Sequence, residues 1–151
     1  MPTILLPVPH RQQEGDADCL AACAAMLLAF VGQPVEYSRL LKLLRVRSFG
    51  TPGANLHHLA DLGVKVEYVF GSMDELRVRL EEGTPCLTLV STADLPHWLY
   101  ATDHAVVVVG LQEQAVILND PAFPTTPLAV PTSAFELAWQ AFDYRYAVIR
   151  R

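Results

Sequence analysis

Residues 13–26 read QEGDADCLAACAAM, a polar loop with one glycine that runs without a linker into an apolar helix. The boundary falls at Cys19. Asp18 stands where an N-cap belongs, and from Cys19 to Val31 the chain is apolar on every side until Gly32 and Pro34 stop it. A helix that is apolar all round is a central helix, wrapped by other elements. A thiol in its first turn meets unpaired backbone N–H groups and the positive end of the helix dipole, and both favour thiolate over thiol. Cys23, one turn further in, has the ordinary setting of a small core residue.

Upstream of the helix, residues 1–15 carry Pro2, Pro7, Pro9, His10, Gln12 and Gln13 and read as an extended arm leading into a loop. Downstream, Tyr37–Leu44 is a second, shorter helical pattern. A loop over Ser48–Gly53 precedes a third helix at Ala54–Leu62, closed by Gly63. Alternation over Val64–Tyr68 predicts a strand. Ser72 and Glu75 then form a capping-box pattern for a helix that Gly83 ends. Beyond it the chain changes character. Pro85–Val90, His104–Leu111, Ala115–Asn119 and Tyr144–Ile149 are short β-branched or aromatic runs between turn residues, and Pro131–Phe142 reads as a helix on the sheet's flank. Helices first and strands second, joined by hairpin-length connections, predict an α+β fold with an antiparallel sheet.

At 151 residues and 52% hydrophobic composition the chain can bury one real core, so a single domain over 1–151 is expected. The formal charge of -5, with basic clusters only at Arg45/Arg47 and Arg150/Arg151, argues against nucleic acid. The N-terminal apolar run is broken by proline and lacks a basic leader, and no apolar run reaches bilayer length. Three cysteines, an odd number, argue against a disulfide framework and for a reducing compartment. A soluble, cytoplasmic protein without a membrane span is expected.

A nucleophilic thiolate needs a partner that moves protons, because the leaving group must be protonated as the bond breaks. Of five histidines, His10 lies in the arm, His57 and His58 in a short helix and His97 in a loop, all four with the character of surface or partly packed imidazoles. His104 differs: it opens the most apolar strand of the chain. If the hairpin that follows is symmetric about Gln112, His104 faces Asp120, with Cβ atoms roughly 4.5–5.5 Å apart on one side of the sheet. Asp120 then holds one ring nitrogen and leaves the other for Cys19. A one-residue slip would send the two to opposite faces, and Asn119-Asp120-Pro121 is also good turn chemistry in its own right. An amide N–H₂ from Gln13, or equally Gln12, together with the Cys19 backbone N–H makes a workable oxyanion hole. Trp98, in the loop before His104, is a candidate for lining the cleft or for packing in the core. Cys19 and Cys23 with a histidine pair form a zinc alternative, which would need Cys23 to leave the core. The triad reading needs no metal and no cofactor.

With these residues in view the chain resembles the papain-like cysteine peptidases of the bacteriocin-processing type, which remove double-glycine leader peptides. The resemblance rests on Gln13, on Asp18-Cys19 leading Ala21–Met26 towards Gly32, on Asp103–Val108, and on Asn119-Asp120-Pro121. It implies a papain-like fold in which the Cys19 helix packs on the antiparallel sheet. Cys19 is then the nucleophile, His104 the general base and acid, Asp120 the orienting carboxylate and Gln13 the oxyanion donor. Leu20 replaces the glycine that family members usually carry after the cysteine, which makes it a substrate-contacting position that narrows what is accepted. The best-known members are the N-terminal domains of ABC exporters. This chain has neither spans nor a nucleotide-binding loop and reads as a freestanding relative. A peptide or protein substrate and a peptide-export partner are implied. An acyltransferase using the same thioester, and a non-catalytic module that binds a leader peptide, are the alternatives.

Overall fold

The strand that His104 opens is apolar from Ala105 to Leu111 because both of its faces are covered. In the computed structural model, which describes residues 3–151, this strand is the longest of an antiparallel sheet with helices on either side. In chain order the elements are β1 (Ile4–Leu5), α1 (Cys19–Phe30), α2 (Tyr37–Leu43), a 3₁₀ helix (Gly53–Leu62), β2 (Lys65–Phe70) and α3 (Met73–Glu81). They continue with β3 (Cys86–Ser91), β4 (Asp103–Gln112), β5 (Ala115–Asn119), β6 (Leu128–Pro131), α4 (Thr132–Gln140) and β7 (Arg145–Arg150). The strand order is β2-β7-β3-β4-β5-β6, with β1 paired to β4. On one face Leu20, Cys23, Ala24 and Leu27 of α1 pack on Ala105, Val107, Val109 and Ile117. On the other, Phe135 and Trp139 of α4 and Leu76 of α3 pack on Val106, Val108 and Leu118. The alanines of α1, wholly buried at 21, 22 and 24, suit a central helix that lies against its neighbours.

Several expectations change in detail. The extended arm, of which Met1 and Pro2 lie outside the described residues, contains a strand, β1. It pairs Leu5 with Gly110, where any Cβ would collide with the Ile4 carbonyl oxygen, so only glycine admits the arm. β6 is bracketed by Pro127 and Pro131, which hides it in the sequence. It lies at the end of the sheet order, where proline is tolerated. The third helix is 3₁₀. Ser72 Oγ caps α3 by accepting from the Glu75 N–H at 3.1 Å, but Glu75 does not complete a capping box, because its carboxylate accepts from the Tyr146 hydroxyl at 2.8 Å.

The hairpin register also differs. The turn consists of Glu113 and Gln114, the latter at φ 62°, so the ladder starts at Gln112–Ala115 and runs through Leu111–Val116 and Gly110–Ile117. Continued without interruption it would pair Asp120 with Val107 and turn it to the α1 face. A bulge between Val108 and Gly110 moves the ladder by one residue, to Val108–Leu118 and Val107–Asn119. One step further, Asp120 falls opposite Val106 rather than His104. That is a diagonal neighbour of His104 on the same face, within reach of a long side chain.

Candidate active site

Three elements terminate at one place: α1 begins with Cys19, β4 opens with Asp103 and His104, and β5 runs out into Asp120. Asp18 occupies the N-cap position but does not cap the helix with its side chain. Its carboxylate turns back instead, accepting the N–H groups of Glu14 and Gly15 at 2.8 Å each and the Tyr37 hydroxyl at 2.6 Å. Burial would raise the Asp18 pKa, but these donors hold it below the ordinary value. The loop before Cys19 is therefore clasped to its own helix, and the start of α1 is left without a side-chain cap.

His104 is 6% exposed and Asp120 is wholly buried. Imidazole Nε2 lies 2.7 Å from Asp120 Oδ1, which leaves Nδ1 on the far side of the ring. Burial by itself would push His104 down. The hydrogen bond to Asp120, with the Cys19 thiol nearby, outweighs it and carries the pKa from 6.5 to about 9. Burial would likewise raise Asp120, but the donors on His104, His97 and Trp98 hold its carboxyl well below the usual carboxylate range. At neutral pH the pair is thus an imidazolium beside a carboxylate. Cys19 is half-buried and, with His104, lines a cleft of about 510 Å³ whose other walls include Asp16, the loop from Ser48 to Gly53, and Phe142. The remaining thiols are sequestered: burial pushes Cys86 up to about 12 and Cys23 well above the ordinary thiol value.

A second cleft meets the first at His104 and is lined by Gln13, Trp98, Leu99 and Tyr100. Gln13 is anchored beside Asp120 through its backbone N–H, which donates to the Pro121 carbonyl at 2.8 Å. Its side-chain N–H₂ donates to the Gly15 carbonyl at 2.6 Å, while its Oε1 is buried without a hydrogen-bond partner among the described residues. Leu20 is 2% exposed, part of the α1 core, and touches the Cys19 cleft from below. Trp98 stands against the imidazole, ring centroids 4.7 Å apart, and its indole N–H donates to Asp120 Oδ2 at 2.8 Å.

His97, read from sequence as an ordinary surface imidazole, is the residue that reasoning missed. Its Nε2 lies 2.8 Å from Asp120 Oδ2. The available signal was a histidine–tryptophan pair in a short loop directly ahead of His104. His57, by contrast, packs against Tyr68, and no cluster of three or more His, Cys, Asp and Glu side chains suited to a metal forms among the described residues, so the zinc alternative finds no ligand set.

Known proteins share this arrangement of elements. The Escherichia coli colicin V secretion/processing ATP-binding protein CvaB is 29% identical over 116 residues, which are 76% of this chain and 15% of that relative. The chain therefore spans about a seventh of that protein's length. A crystal structure described as a C39-like peptidase from Bacillus anthracis superposes with a TM-score of 0.84 at 19% identity, covering 100% of this chain and 98% of that one. A double glycine motif protease from an AMS/PCAT transporter, in complex with the leader peptide, gives 0.74 at 19% identity over 97% and 93%. The peptidase domain of Streptococcus ComA, a bi-functional ABC transporter of a quorum sensing pathway, gives 0.76 at 18% identity over 93% and 96%. These structural likenesses establish the papain-like α+β fold. No helix among the described residues is long and apolar enough to cross a membrane. Residues 5–147 match the Peptidase_C39 like family, and the chain belongs to that family of cysteine peptidases.

Proposed function

We propose that residues 1–151 act as one cytoplasmic peptidase domain that hydrolyses a peptide bond with Cys19 as nucleophile, His104 as general base and acid, and Asp120 as orienting carboxylate. The observation that carries this reading is the imidazole held at Nε2 by Asp120 at 2.7 Å, in the cleft that Cys19 also lines. The thiolate attacks the carbonyl carbon, and the Cys19 N–H and the Gln13 amide hold the oxyanion. His104 gives its Nδ1 proton to the leaving amine, and a thioester remains. Water, deprotonated by the same imidazole, then attacks the thioester and releases the acid and the free thiol. For Gln13 to serve, its N–H₂ turns from the Gly15 carbonyl towards the cleft.

The relatives' descriptions, secretion and processing for one and a leader peptide complex for another, make a leader-bearing peptide the substrate class to test first and an exporter the partner to seek. Leu20 at the cleft floor and Trp98 beside His104 are the side chains proposed to limit which residue fits at the scissile bond. The test is incubation of purified chain with leader-bearing peptides and mass analysis of the products. A carboxylic acid product that disappears in Cys19→Ala supports hydrolysis. An amide-linked product formed with an added amine indicates acyl transfer, and binding without any product indicates a peptide-binding module.

A further inference from the structure

The Asp120 carboxylate has four donors, two on each oxygen. Oδ1 accepts from His104 at 2.7 Å and from the Ala122 N–H at 3.0 Å. Oδ2 accepts from His97 Nε2 and Trp98 Nε1, both at 2.8 Å. An ionised carboxylate offers about four lone-pair sites, so this one is saturated while wholly buried. A carboxylate fixed through one oxygen can swing about its Cβ–Cγ bond, whereas one fixed through both cannot.

We propose that His97, assisted by Trp98, is a positioning residue for the peptidase reaction: it anchors Asp120 Oδ2 so that Oδ1 stays aimed at His104. The proposal rests on the assignment of His104 and Asp120 above. His97 contributes in a second way. Its side chain is 19% exposed where that of Asp120 is not exposed at all, so the imidazole screens the carboxylate from water. Phe123 keeps it there, with ring centroids 5.0 Å apart, and the Phe123 carbonyl is itself bonded to His10 Nε2 at 2.7 Å. Without His97 the carboxylate is looser and hydrated and attracts the imidazolium less, so the imidazolium is a weaker partner for the Cys19 sulfur. The other titratable groups around the pair are Cys19 and Cys23 on α1, Asp103 on β4, Tyr100 in the loop before β4, and His10, Glu14 and Asp16 in the segment before α1. All are present unchanged in the variants below.

The experiment is the rate of Cys19 alkylation by iodoacetamide in the full chain as a function of pH, read by peptide mass, with circular dichroism to verify folding. In His97→Ala the midpoint of reactivity moves up by about one pH unit, the scale of a lost hydrogen bond to a charged group. His97→Gln, whose Nε2 reaches the same point, returns it close to wild type. Trp98→Phe keeps a ring on His104 but loses the N–H, and it moves the midpoint the same way. Should His97→Ala unfold, His97→Leu fills the space without a donor and takes its place. An unchanged midpoint in the folded Ala or Leu variant, or equal shifts in the Ala and Gln variants, overturns the positioning role. His104→Ala separates the two assignments. If it leaves the midpoint at the wild-type value, the base assignment falls and this one with it; if it moves the midpoint and His97→Ala does not, only this one falls.

Discussion

The Tyr37 hydroxyl donates to Asp18 Oδ2 at 2.6 Å, joining α2 to the loop that precedes Cys19. Asp18 is 6% exposed, so the bond is made to a buried carboxylate and is worth more than a surface contact. Tyr37→Phe is expected to lower stability by about 1.5–3 kcal/mol in urea unfolding. It should also raise hydrogen exchange at the Glu14 and Gly15 amides, which share the same carboxylate.

Gly110 is held to glycine by the Ile4 carbonyl. Gly110→Ala is expected to displace β1, costing about 1–3 kcal/mol as overpacking does. Limited proteolysis between Leu6 and His10 should then cleave the variant faster than the wild type, because the Leu6 N–H to Val109 carbonyl bond at 2.8 Å is lost with β1.

His104 makes stability depend on pH in a defined direction. Its pKa is raised on folding, so its contribution is fully present below 6.5, declines above it and is gone once pH passes about 9. The expected loss is about 3 kcal/mol across that window. Urea unfolding of wild type at the two ends should show the difference, and His104→Ala should show much less of it. Asp120 acts at the other extreme. Its depressed pKa gives stability that is present above the ordinary aspartate value and lost as the medium is acidified. The two shifts describe one interaction and do not add.

The thiols are expected to separate cleanly. At neutral pH iodoacetamide should modify Cys19 at least about a hundred times faster than Cys23 or Cys86, whose thiols are fully buried and hard to ionise. Peptide mass mapping after brief exposure checks it. Modification of Cys23 at a comparable rate would mean that α1 opens.

Gln13→Ala is expected to lower kcat about 10²–10³-fold with little change in KM, the signature of a donor used only in the transition state. Steady-state kinetics on whichever peptide is cleaved measures this. A change confined to KM would place Gln13 in ground-state binding instead.

The α1 helix was legible because nothing but a central helix is apolar on every side, and Cys19 stood out because it sits at the polar boundary. The pairing of His104 with Asp120 was anticipated through an incorrect register. A bulge is a property of how two strands settle together, and no local residue pattern announces it. β1 and β6 were hidden by prolines that are harmful inside a sheet and harmless at its margin. His97 was hidden for a different reason. Its contact with Asp120 joins residues that the chain separates by the whole of β4 and β5, and a loop histidine carries no periodicity that would mark it. Asp18 showed its position but not its use, since an aspartate before a helix looks the same whether it caps or clasps.

The irregular rung at Val109 has a consequence for how this protein tolerates changes in length. The register that brings Asp120 beside His104 belongs to the inner rungs at Val107 and Val108, whereas the tip of the hairpin keeps another. Val109 is the extra residue between the two, and its carbonyl also accepts the Leu6 N–H. Removing it lets Gly110 follow Val108 in an even ladder with Asp120 still opposite Val106, at the expense of one buried valine and of the acceptor for the Leu6 N–H. The hairpin tip can therefore gain or lose a residue by opening or closing this slack, while the distance that matters for chemistry stays where it is.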